Sequence, residues 1–96
     1  MNLVWSALAL NDRIETFRYI ASDSHAAAVK VDDAIEEATL QLVDFPGSGR
    51  PGRTPGTREL VVPSMPYVIA YTITGDAVRI LRVLHGAQQW PDDLAH

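Results

Sequence analysis

The sequence predicts an α+β fold with element order β-α-α-β-β-β: an antiparallel sheet packed against a helical hairpin. Three observations carry the prediction. Two stretches in the first half repeat apolar residues at helical spacing, three in the second half are apolar runs of strand length, and a glycine- and proline-rich segment divides the halves. That order places both helices on one face of an antiparallel sheet.

Each element has its own signals. Residues 2–5 form a short apolar run that fits a first strand. Leu10, Ile14, Phe17 and Ala21 then recur at i, i+4, i+7 and i+11, the stripe of an amphipathic helix, with Ser6 placed as its N-cap. Ser22-Asp23-Ser24 ends that helix and supplies a cap for the next. Val31, Ile35, Ala38, Leu42 and Phe45 repeat the spacing, so a second helix is expected over residues 25–44, stopped by Pro46-Gly47. The short join between the helices favours an antiparallel hairpin. The stretch PGSGRPGRTPGTRE holds four glycines, three prolines and three arginines without periodicity and is expected to be an ordered loop. Strands follow over residues 58–62, 67–73 and 78–85. Thr74-Gly75-Asp76 marks a hairpin turn, and Pro63 and Pro66 bracket the preceding connection.

Composition places the whole chain, residues 1–96, as one small domain, 47% hydrophobic and 21% charged, with no cysteine for disulfides or thiolate metal sites. No run approaches the roughly 20 apolar residues of a membrane span. The N-terminus lacks the basic start of a signal peptide, so the expected location is the cytoplasm. Charge is unevenly spread. Residues 1–45 carry three bases against eight acids, whereas residues 46–85 carry five arginines against two acids. Those five are Arg50, Arg53, Arg58, Arg79 and Arg82, of the side-chain type suited to forked contacts with phosphate or carboxylate.

Chemistry concentrates in VRILRVLHGAQQWP, residues 78–91. Strand alternation puts Arg79, Leu81, Val83 and His85 on one face and Val78, Ile80, Arg82 and Leu84 on the other. His85 is the residue fit for acid–base work, and equally fit to bond a backbone carbonyl at the strand end. Arg82 is equally readable as the partner of a helix carboxylate. Tyr67 and Tyr71 are expected in the core, and Trp90-Pro91 as a cover over the sheet edge. His25 and His96 have no spacing partner for a metal site, and GSGRPG lacks the lysine and following helix of a phosphate loop. Neither metal nor cofactor is expected.

The words WSALALNDRIETFRYIA, FPGSGRPGR, GTRELVV, PYVIAY and ILRVLHGAQQWP, in this order, resemble the RelE/ParE superfamily of toxins from bacterial type II toxin–antitoxin systems. The resemblance spans nearly the whole chain. It implies a growth-inhibiting toxin, wrapped by a cognate antitoxin, with higher-order complexes possible. One branch of the superfamily cleaves messenger RNA at the ribosome without a metal; the other poisons DNA gyrase. For the ribonuclease branch, His85, Arg58 and Arg82 are the catalytic candidates. That branch's arginine early in the penultimate strand is missing, since PYVIAY offers Tyr67 and Val68 there. Its tyrosine after the last strand and its loop lysines are absent too, Lys30 being the sole lysine. The wording RVLH is closer to the gyrase-poisoning branch. Under either reading Arg50, Arg53, Arg58, Arg79, Arg82 and Trp90 are the expected target or antitoxin contacts.

Overall fold

The computed structural model describes residues 1–91 and residue 94; His96 lies outside them. Strand β1 (Asn2–Trp5) leads into helix α1 (Ala7–Ala21), followed by α2 (His25–Asp44). A single 3-10 turn (Pro46–Ser48) precedes β2 (Arg50–Pro51), β3 (Arg58–Val61), β4 (Tyr67–Thr74) and β5 (Ala77–His85). Both helices begin at the expected serines: Ser6 Oγ accepts from Ala9 N–H at 3.0 Å and Ser24 Oγ from Ala27 N–H at 3.2 Å. Each cap satisfies a donor that the first helical turn leaves free.

The strands form one sheet in the order β1-β5-β4-β3-β2. Strands β2 to β5 pair antiparallel, as expected, while β1 pairs parallel to β5. The parallel pair follows from the start of α1. Ser6 N–H donates to Ile80 O and Ser6 Oγ–H to Leu81 O, so β1 must end where α1 crosses β5. The loop of residues 45–57 is ordered, as its composition indicates, but it also contributes the two-residue edge strand β2, which no periodicity announces.

The core lies between the sheet and the helices. Ile35, Ala38 and Leu42 of α2 and Ala9 of α1 pack against Val62, Ile69, Tyr71, Val78, Ile80 and Val83. Each fully buried Leu or Ile there contributes at most about 1.5–3 kcal/mol. Helix α2 buries Ile35, Ala38 and Leu42 of the stripe its sequence draws and half-buries Val31, while Phe45 at its end is exposed. Helix α1 does not bury its stripe. Leu10 is 45% and Ile14 50% exposed, and Ala9 is the residue that α1 buries completely. The apolar stripe expected to face the core instead lines an open groove of about 650 Å3 with Phe17, Arg13, Arg18 and Asp32. Within this lining Arg13 donates to both Asp32 oxygens at 2.6 and 3.0 Å. That bond is the main cause raising the Arg13 pKa, against an opposing effect of burial.

The sheet register changes the expected division of β5. Ile80 pairs with Tyr71 but Arg82 pairs with Ala70, which leaves Leu81 as an extra, bulged residue. The bulge moves every later side chain to the face opposite the one simple alternation gives. Val83 therefore joins Val78 and Ile80 in the core, and Leu81 packs with Ala70 on the other face. Among the described residues no helix is long and apolar enough to cross a membrane.

Candidate functional site

The face of the sheet turned away from the helices carries four of the five arginines of residues 46–85, all but Arg58. Arg50 pairs with Glu59, Glu59 with Ala70 and Ala70 with Arg82, so these four residues form one transverse rung from β2 to β5. Paired residues share a face in an antiparallel ladder. Arg79 pairs with Thr72 on the same side, one step along. Over the middle of this face Trp90 and Leu94 pack on Ala70 and Leu81. Trp90 thus covers the open face near its centre rather than the sheet edge, because the bulge leaves an apolar pair there to be covered. Its indole N–H is buried without an acceptor among the described residues.

Glu59 organises the basic end of the rung. Its side chain is only 3% exposed. One oxygen accepts from Arg50 Nη2 at 3.3 Å; the other accepts from Arg53 backbone N–H at 2.8 Å and lies 3.5 Å from Arg53 Nε. The Arg53 guanidinium also stacks on the Trp90 ring, 3.7 Å from its centroid. Arg50 and Arg53 remain 58% and 50% exposed, free to make further bonds. Sequence reasoning missed Glu59. A single carboxylate one residue after an arginine has no spacing signature, and only the β2–β3 register places it beneath both arginines.

The loop that bears these arginines is fixed from the helix side. Arg58 pairs with Tyr71 on that side, and its Nη1 donates to Gly49 O at 2.7 Å. Tyr71 O–H donates to Pro46 O at 2.7 Å and its oxygen accepts from Gly49 N–H at 2.9 Å. Burial is the main cause raising the Tyr71 pKa, with Gly49 N–H and Arg58 pulling the other way. Gly49 is required: a Cβ there would lie 2.6 Å from Tyr71 Oη and 2.9 Å from Glu59 O. Gly52 is equally confined, by Thr57.

The remaining candidates do not converge on one site. Arg82 is held by Asp12 of α1, which accepts from Nε at 2.7 Å, from Nη2 at 2.8 Å and from Val83 N–H at 2.9 Å. This bond, more than burial opposes it, raises the Arg82 pKa. His85 pairs with Tyr67, with the rings edge-to-face at 5.5 Å. Its Nδ1 accepts from Ala87 N–H at 3.0 Å, so a neutral ring carries its proton on Nε2. The imidazole therefore serves the strand exit as an acceptor rather than by donating to a carbonyl. A groove of about 250 Å3 beside it is lined by Glu15, Thr16, Tyr19, Tyr67 and Gln88. Burial first, and Tyr19 second, raise the Tyr67 pKa.

Arg58 and His85 share the helix side of the sheet but stand two strands and four registers apart, roughly 16 Å by ideal strand spacing. Arg82 projects from the opposite face. Arg79 and Arg82, separated by simple alternation, are united by the bulge, and His85 is parted from Arg79.

Comparison with known proteins bears on what this arrangement does. The sequence profile of the family described as "ParE toxin of type II toxin-antitoxin system, parDE" matches residues 3–90. A protein named Putative toxin Y4kP, from Sinorhizobium fredii, is 46% identical over 90 residues, covering 94% of this chain and 93% of that protein. Toxin RelE2 of Caulobacter vibrioides is 36% identical over 86 residues, covering 90% of this chain and 96% of the relative. A solved structure, the chromosomal ParDE TA system from P. aeruginosa, superposes with a TM-score of 0.77 at 29% identity, covering 86% of this chain and 92% of that one.

Proposed function

The chain belongs to the ParE toxin family of type II toxin–antitoxin systems, and from that premise we propose that it arrests growth by binding DNA gyrase through the open face of its sheet. The observation that carries this reading is the dispersal of His85, Arg58 and Arg82. Metal-free RNA cleavage needs a base, a cation and an acid that all reach the same 2′-OH and scissile phosphate. Here Arg58 is spent on loop carbonyls, Arg82 on Asp12, and the Nδ1 of His85 on Ala87 N–H. A surface of arginines around an apolar centre suits binding to a large partner, and Arg50, Arg53 and Arg79 are its exposed or half-exposed cations.

The cognate antitoxin has a different surface available. The groove of Leu10, Ile14 and Phe17 is apolar and runs along α1, the shape that the apolar face of a partner helix occupies. Its charged lining is Arg13, Arg18 and Asp32, with Arg13 already tied to Asp32, so an antitoxin helix would present apolar anchors there. A more acidic antitoxin segment would suit the arginine face on the other side.

The ribonuclease reading keeps one specific support, the two Caulobacter relatives named RelE1 and RelE2. Brief expression of the toxin, with plasmid topology and messenger RNA ends read in the same culture, separates the two. Trapped gyrase cleavage complexes with intact messages are expected. Cuts at codon-defined positions with normal supercoiling would overturn the gyrase reading.

A further inference from the structure

Glu59 is the most buried carboxylate among the described residues, yet it lies on the open face, on the rung that carries Arg50 and Arg82. A carboxylate taken out of water is costly unless its oxygens are well bonded. Here both are, and by groups of two arginines. The result is two guanidiniums held on one pivot. Arg53 is further fixed by the Trp90 ring beneath it, and both side chains remain half exposed or more. Two cations against one buried anion leave the cluster with a net positive charge directed at solvent.

We propose that Glu59 is a positioning residue that aims Arg50 and Arg53, as a two-armed fork, at one phosphodiester group of the nucleic acid held by the target. The proposal rests on the open face being the target surface. It does not depend on which target is correct, because gyrase on DNA and a ribosome on its message both hold a nucleic-acid backbone. A phosphodiester offers two non-bridging oxygens pointing apart, each able to meet a different guanidinium, as the two oxygens of Glu59 already do, and arginine is the cation suited to nucleic-acid backbones. Holding the arginines in advance removes the ordering cost each flexible side chain otherwise meets on binding.

Charge and positioning predict opposite signs for one substitution. Glu59→Gln removes a negative charge beside an anion site, so a purely electrostatic role makes anion binding tighter. Loss of the pivot makes it weaker. The assay is fluorescence anisotropy of end-labelled single-stranded 12-nucleotide DNA and RNA on the full-length toxin freed of antitoxin, with a 12-residue polyglutamate peptide in parallel. The expected result is about a ten-fold weaker oligonucleotide affinity for Glu59→Gln, and for Arg53→Lys, which keeps the charge but loses the forked contact. Circular dichroism monitors folding, so the second variant answers the question if the first unfolds. Unchanged or tighter oligonucleotide binding by a folded Glu59→Gln protein overturns the proposal. So does a wild type that binds the acidic peptide more tightly than either oligonucleotide. Arg79→Glu, on the same face but outside the fork, tests the underlying reading separately. If it leaves toxicity intact, the open face is not the target surface; if it abolishes toxicity while Glu59→Gln binds normally, only the positioning role fails.

Discussion

The two faces of the sheet are built on different physics. On the helix side, side chains are apolar, close-packed and repeat at the spacing of their elements; Ile35, Leu42, Ile69, Tyr71 and Ile80 are almost wholly buried. On the open side, a row of charges is arranged around the small apolar patch of Ala70, Leu81, Trp90 and Leu94. The helix side is held by burial, which is non-directional and tolerant of volume-conserving change. The open side is held by hydrogen-bonded ion pairs, which fix direction and fail sharply when one member is lost. A surface that must present cations in set positions to a partner has to be built the second way.

Asp12 is where the two faces are joined, and its loss is expected to have the largest effect. It reaches from α1 to the Arg82 fork and to Val83 N–H beyond the bulge. Asp12→Ala strands a guanidinium whose side chain is 21% exposed, and should cost about 3 kcal/mol of stability. Thermal unfolding should show a fall of more than about 10 °C for a chain of this size. The double variant Asp12→Ala/Arg82→Leu should recover part of that loss, since no unpaired charge remains. A double variant no more stable than the single one would mean the ion pair is not the fastening.

The apolar groove tests the same contrast from the helix side. Ile14 is half exposed, so Ile14→Asp should change stability by no more than about 0.5 kcal/mol. Affinity for the antitoxin should nevertheless drop about 100-fold, near 2.7 kcal/mol, because a charge would enter an apolar contact. Isothermal titration with the purified antitoxin measures this. Wild-type affinity would move the antitoxin off this groove.

Tyr71 is a polar fastening inside the apolar side. Tyr71→Phe leaves Gly49 N–H and Pro46 O without their partner and should cost about 2 kcal/mol. The pH dependence has a definite sign. The folded protein holds the phenolic proton above the ordinary value of 10.0, mainly because the ring is buried, while the unfolded chain releases it there. Its contribution is therefore complete below about pH 10 and is lost as pH rises through the folded value. Melting temperatures recorded between pH 9 and 11 should fall, and fall less steeply in Tyr71→Phe. Tyr67, also raised by burial, leaves a residual slope.

Legibility in the sequence followed the same division. Helices, caps, four of the five strands and the hairpin turn are readable because apolar runs, 3.6 and 2.0 periodicities and serine caps are local signals. The orientation of α1 was not. Leu10, Ile14 and Phe17 draw an apolar stripe, and a stripe records only that something apolar covers it, be that the chain's own core or a partner. The faces of β5 were misassigned for a related reason. A bulge adds one residue without changing composition, so Leu81 looked like any other strand position. Glu59 and β2 depend on pairing across the sheet, which no single segment contains.

His85 carries the smallest expected effect and the sharpest distinction between the two functional readings. Its ring accepts one backbone N–H and leans edge-on against Tyr67. Glutamine keeps an acceptor of similar reach but loses the ring contact, worth about 0.5–1.5 kcal/mol. His85→Gln should therefore lower the melting temperature by only a few degrees and leave toxicity within about three-fold of wild type. A catalytic imidazole behaves differently: without it a proton transfer contributing about 10²–10⁴-fold is lost, whatever the stability. Growth arrest titrated against expression level, beside thermal unfolding of the same variant, gives both numbers. Abolished toxicity with a near-normal melting temperature would restore the nuclease reading, and would require the arginines to be brought to His85 by the target rather than by the fold.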